Sequence, residues 1–223
     1  MASTEEAVQA IKRALTHSRM STYEKVFEGN PDRRLALELY AWNALVSAAF
    51  LAPLHLCEVV VRNAVADALE AQYGERWPWS PGFERSLPDP AIGYSQRKDL
   101  FNARRNQQTT GKVIPELKFA FWQKLFTRRN DERLWNRYLP VIFPYGDSSL
   151  GINQQRQFIY DELERVRKLR NRIAHHEPIF SRDLYVDYQV INQLIRLRCP
   201  ITAEWMAQHQ QVLSLIKESP IPA

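Results

Sequence analysis

Residues 152–177 form a long stretch that contains neither glycine nor proline and repeats its apolar residues at helical spacing. The repeat steps by four, three, three and four residues, which places one apolar stripe along an α-helix. This stripe consists of Ile159, Leu163, Val166, Leu169 and Ile173. Pro178 ends the helix, because proline disfavours the helical conformation of the residue before it. The sequence therefore predicts a helix of about seven turns with one buried side.

The rest of the chain also predicts helices, and we expect an all-α fold without a significant β-sheet. Only 7 of the 223 residues are glycine, and no stretch alternates apolar and polar residues over six or more positions. Helix starts are predicted at Ser3 with Glu6, Ser21 with Glu24, Asn30-Pro31-Asp32, Asn130 or Asp131, and Ser181. Pro53 is expected to kink or break the chain, and a second helix then continues to residue 73 with Gly74 as its terminator. A helix is also expected at 114–126. The helix that Ser181 opens has a stripe of Leu184, Tyr188, Ile191 and Ile195, and Pro200 separates it from the final helix at about 202–217.

Composition indicates a soluble protein of a reducing compartment. The chain is 45% hydrophobic and 25% charged, and its net charge of +5 permits a nucleic-acid partner without requiring one. Cys57 and Cys199 are far apart and suggest no disulfide framework, so we expect a cytoplasmic location. The apolar run at 41–61 is interrupted by polar residues, which favours a buried helix pair and no membrane span.

The end of the long helix carries the chemically most suggestive cluster: Arg170, Asn171, Arg172, His175 and His176. Histidine can accept or donate a proton near neutral pH, and arginine offers a charged planar fork that suits a phosphate. Such a pair fits RNA cleavage without a metal, in which one group deprotonates the ribose 2′-OH and another protonates the leaving oxygen. The alternative is that these cations only complement the helix dipole and cap the helix.

Three segments carry a resemblance to a known family. R-N-R-I-A-H-H-E-P at 170–178 resembles the Arg–four residues–His signature of the HEPN superfamily, in the form found in Abi-like (abortive infection) proteins. The stretches L-Y-A-W-N-A-L-V-S-A-A-F-L-A-P-L-H-L-C-E-V-V-V-R-N-A at 39–64 and G-K-V-I-P-E-L-K-F-A-F-W-Q-K-L-F at 111–126 are similar to the same family. The likeness is in register along most of the chain, which makes it more specific than the short signature alone.

The resemblance implies a fold, an activity and roles for particular residues. It implies one HEPN-like helical bundle with additional helices over residues 1–223. It also implies a metal-independent endoribonuclease that acts as a toxin or phage-defence effector, without a cofactor. Arg170 corresponds to the phosphate clamp, His175 to the acid or base, and Asn171 to the polar residue beside the arginine. His176 and Glu177 match the Abi-like form of the motif.

Glu58 and Arg62 stand four residues apart in an otherwise apolar helix, followed by Asn63. Charges in a dry environment are costly unless they are paired, so we expect Glu58 and Arg62 to interact. One interpretation is a buried ion pair that fixes the register of the helix. The other is a supporting layer that orients Arg170 or His175, which is consistent with the recurrence of E-x-x-x-R-N in Abi-like proteins.

Residues 75–110 are predicted to contain an irregular connector rich in proline and tryptophan and, towards its end, a basic helix at 94–108. The helix displays Arg97, Lys98, Arg104 and Arg105. These cations form either a solvated face or a surface that contacts the RNA backbone. Arg172 is predicted to be a further RNA contact. Likewise, Trp77, Trp79 and Phe83 either stack on bases or cover a core.

No other catalytic or metal-binding pattern is present. The chain lacks glycine-rich phosphate loops, a G-x-S-x-G nucleophile elbow and an H-E-x-x-H zinc helix. Adjacent histidines diverge by about 100° on a helix and do not easily share one metal, so we predict no metal site. The Arg–His cluster is the only chemical constellation that the sequence offers.

Helix geometry also predicts a homodimer. Arg170 and His175 are five residues apart and diverge by about 140° on a regular helix. Either the last turn unwinds, or a second copy of the motif completes the site, as HEPN proteins generally arrange it. Beside the RNA substrate and this second copy, an antitoxin protein or RNA is a further possible partner. The rival hypotheses are a catalytically silent module that binds RNA or a protein, and a motif that only holds a dimer together.

Overall fold

The structure is a computed structural model that describes residues 4–221 of the chain. Within this range it contains twelve α-helices and no β-strand, so the predicted all-α fold is confirmed. The helices are α1 (Thr4–Leu15), α2 (His17–Glu24), α3 (Leu35–Tyr73), α4 (Pro81–Ser86), α5 (Gln96–Arg104), α6 (Thr110–Val113), α7 (Phe119–Leu125), α8 (Asn136–Ile142), α9 (Ile152–Ala174), α10 (Leu184–Arg198), α11 (Pro200–His209) and α12 (Val212–Lys217).

Helix α3 is the central element, and the predicted break at Pro53 is wrong. The helix continues without interruption for 39 residues, although Pro53 cannot donate a hydrogen bond to the preceding turn. Phe50, Leu54 and Cys57 are buried on the same side as Pro53. Their packing against the neighbouring helices offsets the cost of the proline, which is about 3 kcal/mol in a helix interior. Gly74 ends α3 with a positive φ of 85°, as predicted.

Several helix starts lie a few residues from their predicted positions. The proposed cap at Ser3 lies outside the described residues. Helix α2 begins at His17, so Ser21 is inside the helix and not at its start. Asp32 accepts a hydrogen bond from the backbone N–H of Arg34, and α3 begins directly after this turn. In α10 the N-cap residue is Asp183, which accepts from the N–H of Val186, and not Ser181.

The region between α3 and α9 is built from short helices around a cluster of aromatic side chains. Trp77 and Phe83 are fully buried and meet edge to face, which favours the core interpretation of these residues over base stacking. The predicted helix at 114–126 is divided into a 3₁₀ turn, Ile114–Glu116, and α7. A π-helical turn, Asp131–Trp135, leads into α8.

Helix α9 lies against this region and against α3, α8 and α10. All five residues of its predicted stripe are buried, which confirms the helical periodicity. Near its beginning, Arg156 forms a buried ion pair with Asp131, with 2.8 Å between Nε and Oδ1. The predicted stripe of α10 is buried too, but the last predicted helix is two helices, α11 and α12.

Helix α3 leaves an apolar side uncovered. By length and composition it is the one helix among the described residues that is long and apolar enough to cross a membrane, a property that core helices of soluble proteins share. Only 33% of its most apolar segment is buried, and Leu45 and Leu51 are 59% and 56% exposed. The run at 41–61, predicted to be a buried helix pair, is thus part of one continuous helix that keeps an exposed apolar side.

Candidate functional site

The long helix ends in a regular capping motif that includes both histidines. Helix α9 continues to Ala174, and the N–H of His175 still bonds to the carbonyl of Asn171 at 3.0 Å. The N–H of Glu177 then bonds to the carbonyl of Arg172, and that of His176 to Ile173, which is the bonding pattern of a Schellman cap. His176 adopts the left-handed conformation with φ of 54°, a position that usually belongs to glycine.

Three side chains hold the loop that follows this cap, and two of them come from distant parts of the sequence. Arg19 of α2 donates a hydrogen bond to the carbonyl oxygen of His176. Asn43 of α3 accepts one from the N–H of Ile179 at 2.8 Å. Arg172 donates from Nε and Nη2 to the carbonyl oxygen of Pro178, at 2.9 and 2.7 Å. The loop is thus fixed to three helices of the bundle.

The two arginines of the motif differ in what they bind. The guanidinium of Arg172 is engaged with Pro178 and also lies 3.4 Å from a carboxylate oxygen of Glu177. Arg170 is exposed, and no ion pair or hydrogen bond engages its side chain within residues 4–221. Arg172, predicted as an RNA contact, therefore has a structural role here, while the guanidinium of Arg170 is open to a ligand.

The side chains of His175 and Asn171, like that of Arg170, have no partner within the described chain. The imidazole of His175 is exposed and the side chain of Asn171 is half-buried, and neither makes a hydrogen bond inside the described chain. Because α9 is regular through Ala174, Arg170 and His175 keep the divergence of about 140° expected of a regular helix. A single copy of the helix therefore directs these two groups to different sides.

The predicted supporting residues on α3 do not form the expected pair. Among the described residues, no ion pair joins Glu58 to Arg62, and the Nε atom of Arg62 is buried without a hydrogen-bond partner. Both residues are half-buried, and Asn63 is exposed. No hydrogen bond connects any of the three to Arg170 or His175.

The basic helix α5 is shorter than predicted and uses two of its four cations inside the fold. Arg97 donates to the carbonyl oxygens of Glu84, Arg85 and Leu87, which end α4. Arg104 donates to the carbonyl of Pro78 at 2.6 Å and to the carboxylate of Glu84 at 2.7 Å. Lys98 and Arg105 remain exposed, and Lys98 lies 4.0 Å from Asp89. Of the four cations, only Lys98 and Arg105 are therefore available to a polyanion.

A pocket of about 460 Å³ lies beside the motif, between α2, α3 and the end of α9. It is lined mainly by Tyr23, Tyr40, Asn43, Ser47, Ile173 and His176. Sequence reasoning missed it because its walls come from three segments that are far apart in the chain. Asn43, a lone amide among the buried apolar residues of α3, was the one local signal that could have indicated it.

The two tyrosines of this pocket are packed together, with 5.0 Å between their ring centroids. Burial, and to a smaller extent the neighbouring Tyr40, raises the pKa of Tyr23 to about 12. Tyr23 therefore stays a neutral hydrogen-bonding group at physiological pH.

No group of three or more histidine, cysteine, aspartate or glutamate side chains in the described part of the chain is arranged to hold a metal ion. Comparison with known proteins adds no family assignment: no family model, curated protein or solved structure matches this chain. The site must therefore be interpreted from its own residues and from the motif they form.

Proposed function

We propose that this protein is an endoribonuclease that cleaves RNA without a metal and acts as a toxin or phage-defence effector. The observation that supports the proposal most is the contrast within the motif. Its structural arginine is fully engaged, whereas Arg170 and His175, which match the Arg–four residues–His signature, have exposed side chains without partners. The capped end of α9 therefore presents two unpaired groups whose chemistry suits a phosphodiester.

In the proposed reaction the ribose 2′-oxygen attacks the adjacent phosphorus. A neutral His175 accepts the 2′-hydroxyl proton, and a protonated His175 donates a proton to the 5′-oxygen as the phosphorus–oxygen bond breaks. The products are a 2′,3′-cyclic phosphate and a free 5′-hydroxyl. Arg170 stabilises the negative charge that builds up on the non-bridging oxygens, and Asn171 donates a hydrogen bond next to it.

This reaction needs two histidines in opposite protonation states, and we propose that a second copy of the chain supplies the second motif. The divergence of Arg170 and His175 on one helix supports a site shared by two copies. The uncovered side of α3 supports it independently, since Ala41, Leu45, Ala48 and Ala52 are exposed and lie on one side of the helix. A two-fold interface that covers them would remove this apolar surface from water.

The site of action that we propose is the cytoplasm, where an antitoxin protein or RNA would have to cover the free cations of the motif. Lys98 and Arg105 are proposed as additional contacts to the RNA backbone, because they remain exposed on α5.

Expression of the wild type and of His175→Ala in a bacterial host tests the activity directly. We expect growth arrest and RNA fragments that end in a 2′,3′-cyclic phosphate for the wild type only, and the same fragments from purified protein in the presence of EDTA. Circular dichroism must show that both proteins are folded. Equal growth and intact RNA for both would favour the catalytically silent binding module, and loss of cleavage with EDTA would contradict the metal-free mechanism.

A subunit-mixing experiment tests the shared site. Wild type and folded His175→Ala are combined in equal amounts under conditions that allow exchange of subunits. If both motifs are needed, activity falls to roughly a quarter, the fraction of dimers with two intact chains under random pairing. A fall only to one half would show that each chain works alone.

A further inference from the structure

The pocket beside the motif is lined by two polar atoms, Asn43 Nδ2 and the Tyr23 hydroxyl oxygen, that make no hydrogen bond among the described residues. Asn43 is only 6% exposed, and its Oδ1 accepts the hydrogen bond from Ile179. This fixes the orientation of the amide, since only the oxygen can accept from an N–H, and leaves Nδ2 on the side of the pocket. Nδ2 has no hydrogen-bond acceptor among the described residues. The hydroxyl of Tyr23, whose residue is 1% exposed, also lacks a partner there.

Because neither atom is fully buried, both are open to the pocket, where an unpaired donor can bond to water or to a ligand that enters. The volume of about 460 Å³ is within the range of small-ligand sites. The half-buried ring of Tyr40 offers an aromatic surface in the same space, and aromatic rings stack on bases. The pocket thus combines an aromatic wall with a fixed hydrogen-bond donor.

The pocket is continuous with the motif. His176 and Glu177, which directly follow His175, form part of its wall. A nucleotide whose phosphate lies at His175 therefore has its base within reach of the pocket, because base and phosphate are joined by one ribose.

We propose that this pocket holds one base of the RNA strand next to the cleaved phosphate, and that Asn43 selects bases that carry a carbonyl oxygen. The proposal rests on the proposed ribonuclease function. A free asparagine recognises adenine by accepting from its amino group and donating to its ring nitrogen at once. Here Oδ1 is engaged with Ile179, so Asn43 offers only a donor. Uracil, cytosine and guanine present carbonyl oxygens to such a donor. Adenine presents only ring nitrogens, and it loses the second bond that a free asparagine makes to its amino group.

The pocket overlaps the apolar side of α3 only in part, since Ala48 and Leu51 belong to both. Tyr40, Asn43, Ser47 and Leu51 follow one another at spacings of three and four residues and line one flank of the helix. Leu45 is two residues from both Asn43 and Ser47, which places it about 160° around the helix from each. A second copy on the Leu45 side would therefore border the pocket at Ala48 and leave Asn43 and Ser47 uncovered.

The test measures binding of single nucleotides, which does not depend on cleavage. The dissociation constants of uridine, guanosine and adenosine 3′-monophosphates are determined by titration calorimetry for the wild type. The same titrations are made with Asn43→Asp, Ser47→Phe and the control Tyr185→Phe, which changes an exposed tyrosine of α10 outside the pocket. Asn43→Asp keeps an acceptor for Ile179 and replaces the donor, whereas Ser47→Phe fills the pocket from its half-buried rim.

We expect the uridine and guanosine nucleotides to bind about tenfold more tightly than the adenosine nucleotide. Asn43→Asp should remove this preference, Ser47→Phe should weaken all three by about tenfold or more, and Tyr185→Phe should change nothing. Equal affinities of the wild type for the three nucleotides, or unchanged binding to Ser47→Phe, would overturn the proposal. Since Ser47→Phe leaves the bond to Ile179 intact, it remains informative if Asn43→Asp does not fold.

The two proposals fail in different ways. Selective nucleotide binding without RNA cleavage by the wild type would support the pocket and overturn the ribonuclease. Cleavage of RNA without any base preference at the cut sites would support the ribonuclease and overturn the pocket. In a protein in which both hold, cuts cluster at one class of base in the wild type and lose this preference in Asn43→Asp.

Discussion

Helix α5 and the end of α9 are both rich in arginine, but the fold treats their guanidinium groups differently. In α5, Arg97 and Arg104 close the preceding turn by binding its carbonyl oxygens. At the end of α9, Arg172 does the same for the loop after the motif, while Arg170 binds nothing within the described chain. The comparison shows that a basic stretch cannot be interpreted by charge alone. An arginine is open to a ligand where the structure around it is fixed and its own donors are unused.

The strongest test of the difference between the two arginines of the motif is to replace each of them in turn. Arg170→Ala should lower the rate of RNA cleavage roughly a hundred- to a thousand-fold, the usual effect of removing one group that stabilises transition-state charge. Its free energy of unfolding should change by no more than about 0.5 kcal/mol, because the side chain is exposed and unpaired.

The matched variant Arg172→Ala should behave in the opposite way. It removes two charged hydrogen bonds to Pro178 and should lower the free energy of unfolding by about 1–2 kcal/mol. Cleavage assays well below the melting temperature and urea unfolding measure the two effects separately. If Arg172→Ala abolishes cleavage and Arg170→Ala does not, the assignment of the two residues is reversed.

A second pair of variants applies the same contrast to α5. Arg104→Gln loses bonds to Pro78 and Glu84 from a side chain that is only 15% exposed, and should cost roughly 1–3 kcal/mol of stability. Arg105→Gln, at the next position, is exposed and should be neutral within about 0.5 kcal/mol. Urea unfolding measures the free energy of unfolding of both variants. Equal values would show that the contacts of Arg104 contribute little to stability.

The exposed cations of α5 can be tested through the salt dependence of RNA binding. If Lys98 and Arg105 contact the backbone of a single strand, neutralising both to glutamine should reduce the slope of log affinity against log salt by roughly 0.7 for each contact. Fluorescence anisotropy with a labelled RNA measures this slope, with His175→Ala as the background to prevent cleavage. An unchanged slope would assign both residues to a solvated face.

The smallest effect is expected at His176. Its left-handed backbone is costly for a residue with a Cβ atom, so His176→Gly should raise the free energy of unfolding by about 1 kcal/mol or less. His176→Ala is the control, since it removes the imidazole and keeps the backbone cost. If both variants cleave RNA like the wild type, His176 serves only the cap. If both lose activity, its imidazole takes part in the site.

The sequence predicted those parts of the fold that depend on local signals. The buried stripes of α9 and α10 follow from spacing alone, and the end of α3 follows from Gly74. Pro53 misled the prediction because a proline normally breaks a helix, and only the packing of distant helices on α3 outweighs that preference. The cap of α10 was misplaced by two residues because serine and aspartate are both good N-caps.

The parts that local reasoning missed all depend on contacts between distant segments. The partners of Arg97 and Arg104 lie 10 to 26 residues away, so their charge could be seen and their engagement could not. Glu58 and Arg62 have the right spacing for a pair but make none, since i to i+4 neighbours interact only weakly on a helix. The motif itself was recognisable, whereas the accessibility of Arg170 and the engagement of Arg172 required the structure.

The hydrogen bonds that hold the loop after the motif can form only late in the synthesis of the chain. The two bonds that tie it to α2 and α3 join residues that are 157 and 136 positions apart. At roughly 5–20 residues per second of synthesis, Arg19 and Asn43 leave the ribosome several seconds or more before the residues that they hold. Until then the His175 loop cannot be fixed in place. A nascent chain therefore lacks the ordered loop until translation is nearly complete, when residues 176–179 can meet Arg19 and Asn43.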